Sequence, residues 1–502
     1  MKRGCRLNSF SLLTEHTDFD VVILGGGING ACVYDQLCRQ GYKVLLLDKG
    51  DFACGTSQTS AMMIWGGLLY MRNLDFPTVF QLCRDRDRMI EELPNWVYAQ
   101  ALRYLPLPDG GRNKLLIHAA LWLYWLISSL RRERPHSAEV FSERALLKDN
   151  VIGGSLTFEE ALLSNSDARF VLQWITPYLN DDCVALNYCE SHGEYHDRDH
   201  RWYLDIEDKL TGEVRRAKGR LIVNCAGVWT DEVNRQFGIE SPFCHALSKG
   251  VFLIINRSPL HETLLVFDLG EHGDVINLIP WGPVALWGPT ETAIEHIEEG
   301  LEVTAADVSF LWKHYHNRFS QSLTKEDILS FRCGIRPLAV PCGYRNDRYP
   351  LDLSRKQQVV VDTKKPWISC YGGKLTGCQS MAQKVVSVAL KRLPTPAESR
   401  VVGQQTEEIE WCRFEGVEGR IPSAAYCRDH EFCCNLDDYL RRRTNISQWI
   451  AHEGLGAHHE NLSLLEDMAF DINGGDRLSA EREVALYSDN VLRRRTKVLS
   501  GL

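Results

Sequence analysis

Three glycines near the start of the chain have the spacing of a dinucleotide-binding turn. Gly25, Gly27 and Gly30 follow a continuous apolar run at 20–24 and precede a helix-like segment. In such a turn the first glycine permits a sharp bend, the second lets backbone N–H groups approach a pyrophosphate at the helix end, and the third allows close helix–strand packing. Asp48, which ends the next apolar run, can accept a hydrogen bond from a ribose hydroxyl. The pattern predicts a bound dinucleotide and leaves FAD and NAD both open.

This turn requires a strand before it and a helix after it. Residues 20–24 and 42–48 are apolar runs typical of buried parallel strands, and residues 31–40 have the spacing of the helix between them. The three segments together predict one βαβ unit. Further strand-like segments follow helical ones, at 202–206, 213–217 and 220–225, the first two as a hairpin. The repeated return to strands after helices predicts an α/β fold.

The chain has 502 residues, more than a single hydrophobic core usually serves. Its 57 basic and 66 acidic residues give a formal net charge of −9, which excludes the broad electrostatic attraction on which nucleic-acid-binding proteins depend.

The 17 cysteines include no CxxC pair, which favours a reduced compartment over a disulfide scaffold or a metal-binding site. The N-terminal segment 1–18 has too short an apolar stretch for a secretory signal, so we expect a cytoplasmic protein. Because of its net charge, we expect no nucleic-acid partner.

One long apolar segment, 115–130, is bracketed by basic residues. These are Arg112, Lys114, Arg131, Arg132 and Arg134. As a helix the segment would span about 24 Å, short of the roughly 30 Å hydrocarbon core of a bilayer. Two interpretations stay open: a buried helix of the fold, or a helix that enters one leaflet with Trp122, Tyr124 and Trp125 at the interface.

Other polar clusters have ordinary structural explanations. His192, His196 and His200 recur at every fourth residue, but Gly193 and the charges around them predict a solvated strand or turn, so we expect no metal site. The arginine run at 441–443 is typical of a solvated helix face rather than of an anion or membrane patch. Towards the C-terminus strand-like segments become rare and charged helices replace them, which predicts a separate helical domain.

Several short motifs follow the glycine turn along the chain. They are Thr56 with Ser57, Gly66 with Gly67, 224–229 (Asn-Cys-Ala-Gly-Val-Trp), 334–338 (Gly-Ile-Arg-Pro-Leu), 372–376 (Gly-Gly-Lys-Leu-Thr) and 436–444 (Leu-Asp-Asp-Tyr-Leu-Arg-Arg-Arg-Thr). Together with the glycine turn, this ordered set resembles the FAD-dependent glycerol-3-phosphate dehydrogenases, within the D-amino-acid-oxidase-like flavoproteins. The resemblance covers essentially the whole chain and indicates FAD as the cofactor.

The resemblance implies an α/β fold with a doubly wound FAD-binding domain, an antiparallel-sheet substrate domain and a C-terminal helical domain. We expect these domains to comprise, in that order, residues 18–76, 155–244 and 332–395; residues 77–154 and 245–331; and residues 398–502. By the same resemblance, the residues that bind FAD are Gly25, Gly27, Gly30, Asp48, Thr56, Ser57, Gly66, Gly67, Val184, Ala226, Gly227, Gly372, Gly373, Lys374, Leu375 and Thr376. Arg336 and Lys374 match the cations on the family's substrate side and are the expected catalytic residues.

The sequence departs from the family pattern near the flavin. Where the family has Lys, His and Arg after its Thr-Ser pair, this chain has Met62, Trp65 and Leu69. Where the family has a histidine that is thought to handle the substrate proton, the chain has Phe252. These losses weaken any site built for a phosphate dianion, and they leave His245 and Lys374 as candidate proton acceptors.

We therefore expect an FAD-dependent dehydrogenase that transfers hydride from a C–OH group to flavin N5 and passes electrons to an acceptor such as a membrane quinone. Its substrate would be glycerol 3-phosphate or a related, more apolar alcohol. An amine substrate, and an FAD-binding paralogue without turnover, stay as alternatives. A peripheral position on the inner membrane face through 115–130, and a homo-oligomer, are both compatible with the sequence.

Overall fold

The computed structural model describes residues 5–13, 17–106, 114–138, 141–151, 155–270, 275–344, 353, 356–396, 408–500 and 502. Its α-helices are α1 (Cys5–Ser11), α2 (Ile28–Arg39), α3 (Phe76–Glu92), α4 (Lys114–Ile127), α5 (Asp167–Leu172), α6 (Thr230–Gln236), α7 (Ala305–His316), α8 (Cys378–Ala389), α9 (Ala424–His430), α10 (Ile446–Trp449), α11 (Leu462–Ile472) and α12 (Arg477–Leu499). Its β-strands are β1 (Asp18–Leu24), β2 (Val44–Leu47), β3 (Met63–Ile64), β4 (Val97–Leu105), β5 (His136–Ala138), β6 (Ser155–Leu163), β7 (Cys183–Leu186), β8 (Cys189–His196), β9 (Arg201–Asp208), β10 (Val214–Asn224), β11 (Phe243–Asn256), β12 (Leu264–Asp268), β13 (Val275–Trp281), β14 (Val284–Gly288), β15 (Thr292–Ile294), β16 (Ile328–Pro341), β17 (Gln358–Val361), β18 (Trp367–Tyr371), β19 (Trp411–Cys412) and β20 (Ile421–Pro422).

The first sheet contains the predicted βαβ unit. β1 runs parallel to its neighbours β2 and β10, and α2 connects β1 to β2. The order is β17-β18-β10-β1-β2-β7, with the edge strand β17 antiparallel to β18. β2 is buried at every position, as expected for a parallel strand with both faces covered. The predicted hairpin is formed by β9 and the first half of β10, with Glu207 opposite Val214.

A second sheet of ten strands is mainly antiparallel. Its order is β15-β11-β14-β13-β12-β4-β6-β3, with β16 paired to β11 and β5 paired to β6. The long strands β11 and β16 pair from Phe243 opposite Pro341 to Ile255 opposite Ile328. Apolar side chains of both sheets share one core, to which Val21 of β1 contributes. The predicted α/β class is confirmed, whereas the proposed residue bounds of its domains stay a prediction.

Helices α9 to α12 form the predicted C-terminal helical part, around a core of their own. Leu440, Leu465 and Val484 are buried in this core. The longest helix, α12, begins after Asp476 because that side chain accepts the backbone N–H groups of Leu478 and Ser479.

The arginine run at 441–443 is not the solvated helix face that its charge pattern indicated. Arg442 and Arg443 are 5% and 0% exposed, within a turn of π-helix at Asp438–Arg443. Both arginines reach Asp51, in the loop that follows β2. The interpretation was wrong because a run of like charges gives no information about a carboxylate so distant along the chain.

The apolar segment 115–130 forms α4 and the turn after it. Leu121 and Tyr124 are buried against the protein, while Leu115 and Leu126 are 79% and 56% exposed. One face of the helix is therefore packed and another points outward. No helix within the described residues is long and apolar enough to cross a membrane. Arg112, one of the predicted flanking cations, lies outside the described residues.

Candidate functional site

A cavity of about 1390 Å³ lies where the parallel strands of the first sheet end. Adjacent strands β18, β10, β1 and β2 all finish at this edge. Residues from the segments that follow them line the cavity, at 25–29, 48–50, 225–229 and 372–376. The carboxyl ends of parallel strands are where α/β sheets bind their ligands, so this cavity is the candidate site.

The glycine turn between β1 and α2 forms one wall of the cavity. Gly25 has a φ of 105°, and a Cβ there would lie 2.5 Å from the carbonyl oxygen of Cys225. A Cβ at Gly30 would lie 1.9 Å from the carbonyl oxygen of Gly25, so the third glycine is needed for packing. Gly27 precedes the first turn of α2, and a Cβ there would meet only Ser57 Oγ within 4 Å. The second glycine therefore leaves open space at the positive end of a helix, as an anionic ligand requires.

Asp48 follows β2 and borders the cavity next to the glycine turn. Its carboxylate accepts the N–H of Gly26 at 2.7 Å and that of Gly50 at 2.9 Å. Burial outweighs these hydrogen bonds and raises the pKa of Asp48 to about 7. A ligand hydroxyl that donates to this carboxylate would favour its charged form.

The 372–376 segment approaches the glycine turn from the opposite side. Asn29 Nδ2 donates to the carbonyl oxygen of Gly372 at 3.2 Å, and Gly372 has a φ of 67°. The N–H of Gly372 donates to His245 Nε2 at 3.3 Å, and His245 Nδ1 lies 3.3 Å from Asp231. His245, a candidate proton acceptor from the sequence, thus supports this segment and is not among the residues that line the cavity.

Four buried polar atoms at the cavity wall have no hydrogen-bond partner among the described residues. They are Asn29 Oδ1, Trp65 Nε1, Asn277 Oδ1 and Thr376 Oγ1. Buried polar groups are normally hydrogen-bonded, so these atoms mark positions for polar groups of a ligand. The open glycine at a helix end, the Asp48 carboxylate and these atoms together fit a dinucleotide such as FAD.

Arg336 projects from β16 at the other end of the cavity. Its Nη1 lies 3.3 Å from Glu291 Oε2 and donates to Ser248 Oγ at 3.4 Å. Ser248 Oγ in turn donates to Glu291 Oε1. Gly250 on the facing strand leaves room for the guanidinium, since a Cβ there would lie 2.2 Å from Arg336 Nη2. The chain itself thus supplies a carboxylate partner for Arg336.

Two further basic residues near this end also have partners within the chain. Lys249 Nζ lies 2.7 Å from Asp307 Oδ2, and both side chains are 6% exposed. Lys374 Nζ lies 4.4 Å from the centroid of the Tyr70 ring, a distance at which the cation is attracted to the ring face.

Most of the residues predicted to bind the dinucleotide line the cavity. They are Gly25, Gly27, Asp48, Thr56, Ser57, Ala226, Gly227, Gly372, Gly373, Lys374, Leu375 and Thr376. Arg336 lines it as well. The other predicted residues, Gly30, Gly66, Gly67 and Val184, lie in the same region without lining it, and Val184 is buried in β7 opposite Leu45.

The positions that depart from the family pattern have different surroundings. Trp65 lines the cavity beside Met63. Met62 and Phe252 are buried, 1% and 3% exposed, and neither side chain lines the cavity. The side chain of Leu69 lies outside the described residues. Among the replacements whose side chains the structure describes, Trp65 is the one that brings an apolar surface to the site.

Sequence reasoning missed two residues of this site, Asn29 and Glu291. Asn29 stands inside the glycine fingerprint, where a polar side chain between two glycines was the available signal. Glu291 follows the cis peptide bond between Gly288 and Pro289, and no motif marks it.

A buried ion-pair network fixes the loop that follows Asp48. Arg442 Nε donates to Asp51 Oδ2 at 2.6 Å, and Arg443 donates to both oxygens of Asp51 at 2.6 and 2.8 Å. Asn187 Nδ2 adds a further hydrogen bond at 2.8 Å. Burial alone would raise the pKa of Asp51, but the two guanidinium groups outweigh it and hold that pKa below its ordinary value. The C-terminal helical part therefore holds one side of the cavity loop in place.

Residues 20–363 match the model of a protein family described as FAD dependent oxidoreductase. The chain is 30% identical, over 388 residues, to an aerobic glycerol-3-phosphate dehydrogenase of Staphylococcus aureus, and the aligned region covers 76% of this chain and 68% of that protein.

Solved structures with the same fold include two proteins with FAD bound. The glycerol-3-phosphate dehydrogenase from Bacillus halodurans superposes with a TM-score of 0.70 at 17% identity, over 99% of this chain and 98% of that chain. The L-alpha-glycerophosphate oxidase from Mycoplasma pneumoniae superposes with a TM-score of 0.58 at 15% identity, over 78% of this chain and 100% of that chain. Both likenesses confirm the predicted architecture.

Proposed function

The chain belongs to the family of FAD dependent oxidoreductases, and we propose that it is a dehydrogenase that oxidises a C–OH group of a small alcohol or polyol derivative. FAD is its cofactor. The proposal is supported by the relatives named glycerol-3-phosphate dehydrogenase and by two cationic side chains that line the cavity, Arg336 and Lys374.

In this proposal the first sheet holds FAD and the second sheet supplies most of the substrate side. The N–H groups after Gly27 would receive the pyrophosphate, Asp48 a ribose hydroxyl, and Asn29 and Thr376 polar groups of the ribityl chain or ring. When bound, FAD supplies the hydride acceptor at N5 and passes the electrons on. The task of the protein is to position the substrate carbon and to handle the hydroxyl proton.

The single observation that carries the proposal is the arrangement of Arg336 beside the 372–376 segment. Pro337, next to Arg336 on β16, has its carbonyl oxygen 3.6 Å from where a Cβ of Gly372 would lie. The strand that carries Arg336 thus runs next to the segment that would border the flavin in this proposal, and Arg336 lines the same cavity as that segment. With Trp65 on the cavity wall, the site can orient a polar group of the substrate at one end and an apolar group at the other.

Anaerobic mixing of the purified, FAD-loaded protein with candidate donors tests the proposal. The donors are glycerol, glycerol 3-phosphate, an acyl-glycerol and a simple amine. We expect an alcohol to remove the flavin absorbance near ~450 nm, which is a property of the cofactor itself. Reduction by the amine alone would assign amine oxidation instead. Reduction by dithionite but by none of the donors would support an FAD-binding protein without turnover.

We further propose that α4 contacts a membrane surface, from which a quinone could accept the electrons. The helix presents Leu115, Leu116, Leu123 and Leu126 to the outside, between 42% and 79% exposed. Arg131 and Arg134, after the helix, are exposed and suited to anionic headgroups, although Arg131 also pairs with Glu91 at 3.0 Å. An apolar face with cationic residues at its end is typical of a helix that lies in an interface without spanning it.

A further inference from the structure

Carboxyl groups outnumber basic groups around the cavity. The acidic residues that line it within the described chain are Asp48, Glu190, Glu232, Glu291, Glu298, Glu299, Glu302 and Asp307. The basic ones are Lys49, Lys249, Arg336 and Lys374. The phosphates of FAD add further negative charge when it is bound. The electrostatic potential of such a cavity opposes the entry of another anion.

Glu291 places a negative charge directly beside Arg336, the cation that an anionic substrate would need. Its carboxylate lies 3.3 Å from Arg336 Nη1 and is 11% exposed, while Arg336 is 23% exposed. Ser248 holds the other carboxylate oxygen of Glu291 through a hydrogen bond. A phosphate on Arg336 would either lie against this carboxylate or displace it, and both outcomes leave a largely buried negative charge without its partner.

The neighbouring Lys249 offers such a phosphate no alternative partner without a similar loss. Lys249 is held by Asp307, and its displacement would leave a buried carboxylate unpaired. Lys374 lies over the Tyr70 ring. By contrast, an uncharged hydroxyl can donate to Glu291 while the ion pair stays intact, and an ammonium group adds attraction.

We propose that Glu291 is a specificity-determining residue that excludes anionic groups from the Arg336 end of the cavity. The substrate then carries a neutral hydroxyl or a positively charged amine at that end, as a polyol or an amino alcohol does. Rejection of one ligand class by a built-in like charge is an established way to obtain specificity. The inference rests on the proposed function in one respect, that the Arg336 end is the substrate side.

The test compares three ligands of similar shape on the FAD-loaded protein. These are glycerol, serinol (its amine analogue) and glycerol 3-phosphate, each titrated without oxygen while the flavin spectrum is followed. For the native protein we expect glycerol 3-phosphate to bind most weakly. In Glu291→Gln its dissociation constant should fall at least about tenfold, because Arg336 is released and the like charge is gone. Serinol should bind more weakly to this variant, and glycerol should change least, because the amide oxygen of the variant still accepts a hydrogen bond from a hydroxyl.

Two further variants give the comparison its controls. Glu295→Gln makes the same charge change at an exposed side chain that does not line the cavity, so it should leave all three constants unchanged. Arg336→Gln added to Glu291→Gln should remove the gain for glycerol 3-phosphate. If Glu291→Gln fails to retain FAD, Glu291→Ala takes its place, because it removes the same charge without placing an amide beside Arg336 and should shift the constants the same way.

Equal binding of glycerol 3-phosphate by the native protein and by Glu291→Gln would overturn the proposal. So would a gain that persists without Arg336. This comparison measures ligand binding and needs no turnover. If no donor reduces the flavin, the dehydrogenase proposal is refuted, but the dissociation constants still test the role of Glu291.

Discussion

Asn29 Nδ2 donates a hydrogen bond to the carbonyl oxygen of Gly372 at 3.2 Å, and both residues line the cavity. The bond joins the glycine turn, near the start of the chain, to the segment that follows the last parallel strand of the first sheet. The other amide atom, Asn29 Oδ1, is buried and has no partner within the described residues. In the proposed function, one side chain would therefore both join the two segments beside FAD and offer the cofactor an acceptor.

We predict that Asn29→Ala lowers the affinity for FAD by about 3- to 10-fold, which corresponds to the net free energy of about one hydrogen bond. The unfolding midpoint of the apoprotein should change little, because the residue is only partly buried. Titration of apoprotein with FAD, followed by flavin fluorescence, measures the change. Gln36→Ala is the matched control, since Gln36 on the same helix also donates to a backbone carbonyl at 3.2 Å, that of Gln379, but does not line the cavity.

The raised pKa of Asp48 predicts a pH-dependent affinity for FAD. Burial places this pKa at about 7 in the folded chain, against an ordinary value of 3.8. The group's contribution to the stability of the apoprotein is therefore fully present below pH 3.8 and is lost as the pH rises through 7. A ribose hydroxyl favours the charged carboxylate, so binding should release a proton and the affinity should rise with pH until about pH 7.

Asp48→Asn isolates this contribution, because the amide cannot ionise. FAD titrations between about pH 5 and pH 8 should give a nearly flat affinity for the variant. The same slope in the variant and in the native protein would assign the pH dependence to another group.

The ion pairs of Asp51 predict a large structural cost for its replacement. Asp51→Asn leaves Arg443 buried without its carboxylate and removes one of the two buried carboxylates that pair with Arg442, which should lower the free energy of unfolding by about 3–5 kcal/mol. Asp437→Asn is the control, since Asp437 also contacts Arg442, at 2.8 Å, but its side chain is 54% exposed. That variant should cost about 0–1 kcal/mol. Denaturant unfolding of the three apoproteins measures both values, and equal losses would contradict the assignment.

The outward face of α4 predicts binding to anionic vesicles. Leu115→Glu combined with Leu126→Glu should abolish co-sedimentation with such vesicles without loss of FAD, because both side chains face outward. Trp125 is less suited to this test, since its Nε1 donates to the carbonyl oxygen of Arg132 at 2.7 Å.

Leu478→Glu with Leu486→Glu is the matched control, as both leucines are exposed on α12, 57% and 64%. This pair should leave vesicle binding intact. If the native protein does not bind vesicles at all, a soluble electron acceptor replaces the quinone in the proposal.

The glycine turn and its βαβ unit could be predicted because their causes are local. A buried parallel strand needs consecutive apolar residues, and the turn needs glycine where φ is positive or where the carbonyl of Gly25 leaves no room for a Cβ. The predicted strand at 20–24 lies within β1, and the predicted hairpin is present. Such patterns are contained within a few consecutive residues.

The partners of Arg336 and Asp51 could not be predicted, because each joins segments that are remote in sequence. Arg443 and Asp51 are separated by 392 positions, and no local pattern links them. Glu291 likewise lies in a loop without a motif. The pairing of β11 with β16 places Ser248 opposite Arg336, and both side chains contact Glu291. Charge runs are uninformative for the same reason, as the burial of Arg442 demonstrates.

The separation of Asp51 from Arg443 also sets an order of events during biosynthesis. The ribosome delivers the glycine turn and Asp51 early, whereas both arginines emerge only after almost four hundred further residues. Until then the loop beside the cofactor position lacks its anchor and Asp51 lacks its countercharge. We therefore expect stable loading of FAD to follow the synthesis of the two arginines, and a chain that ends before them to hold the cofactor less firmly.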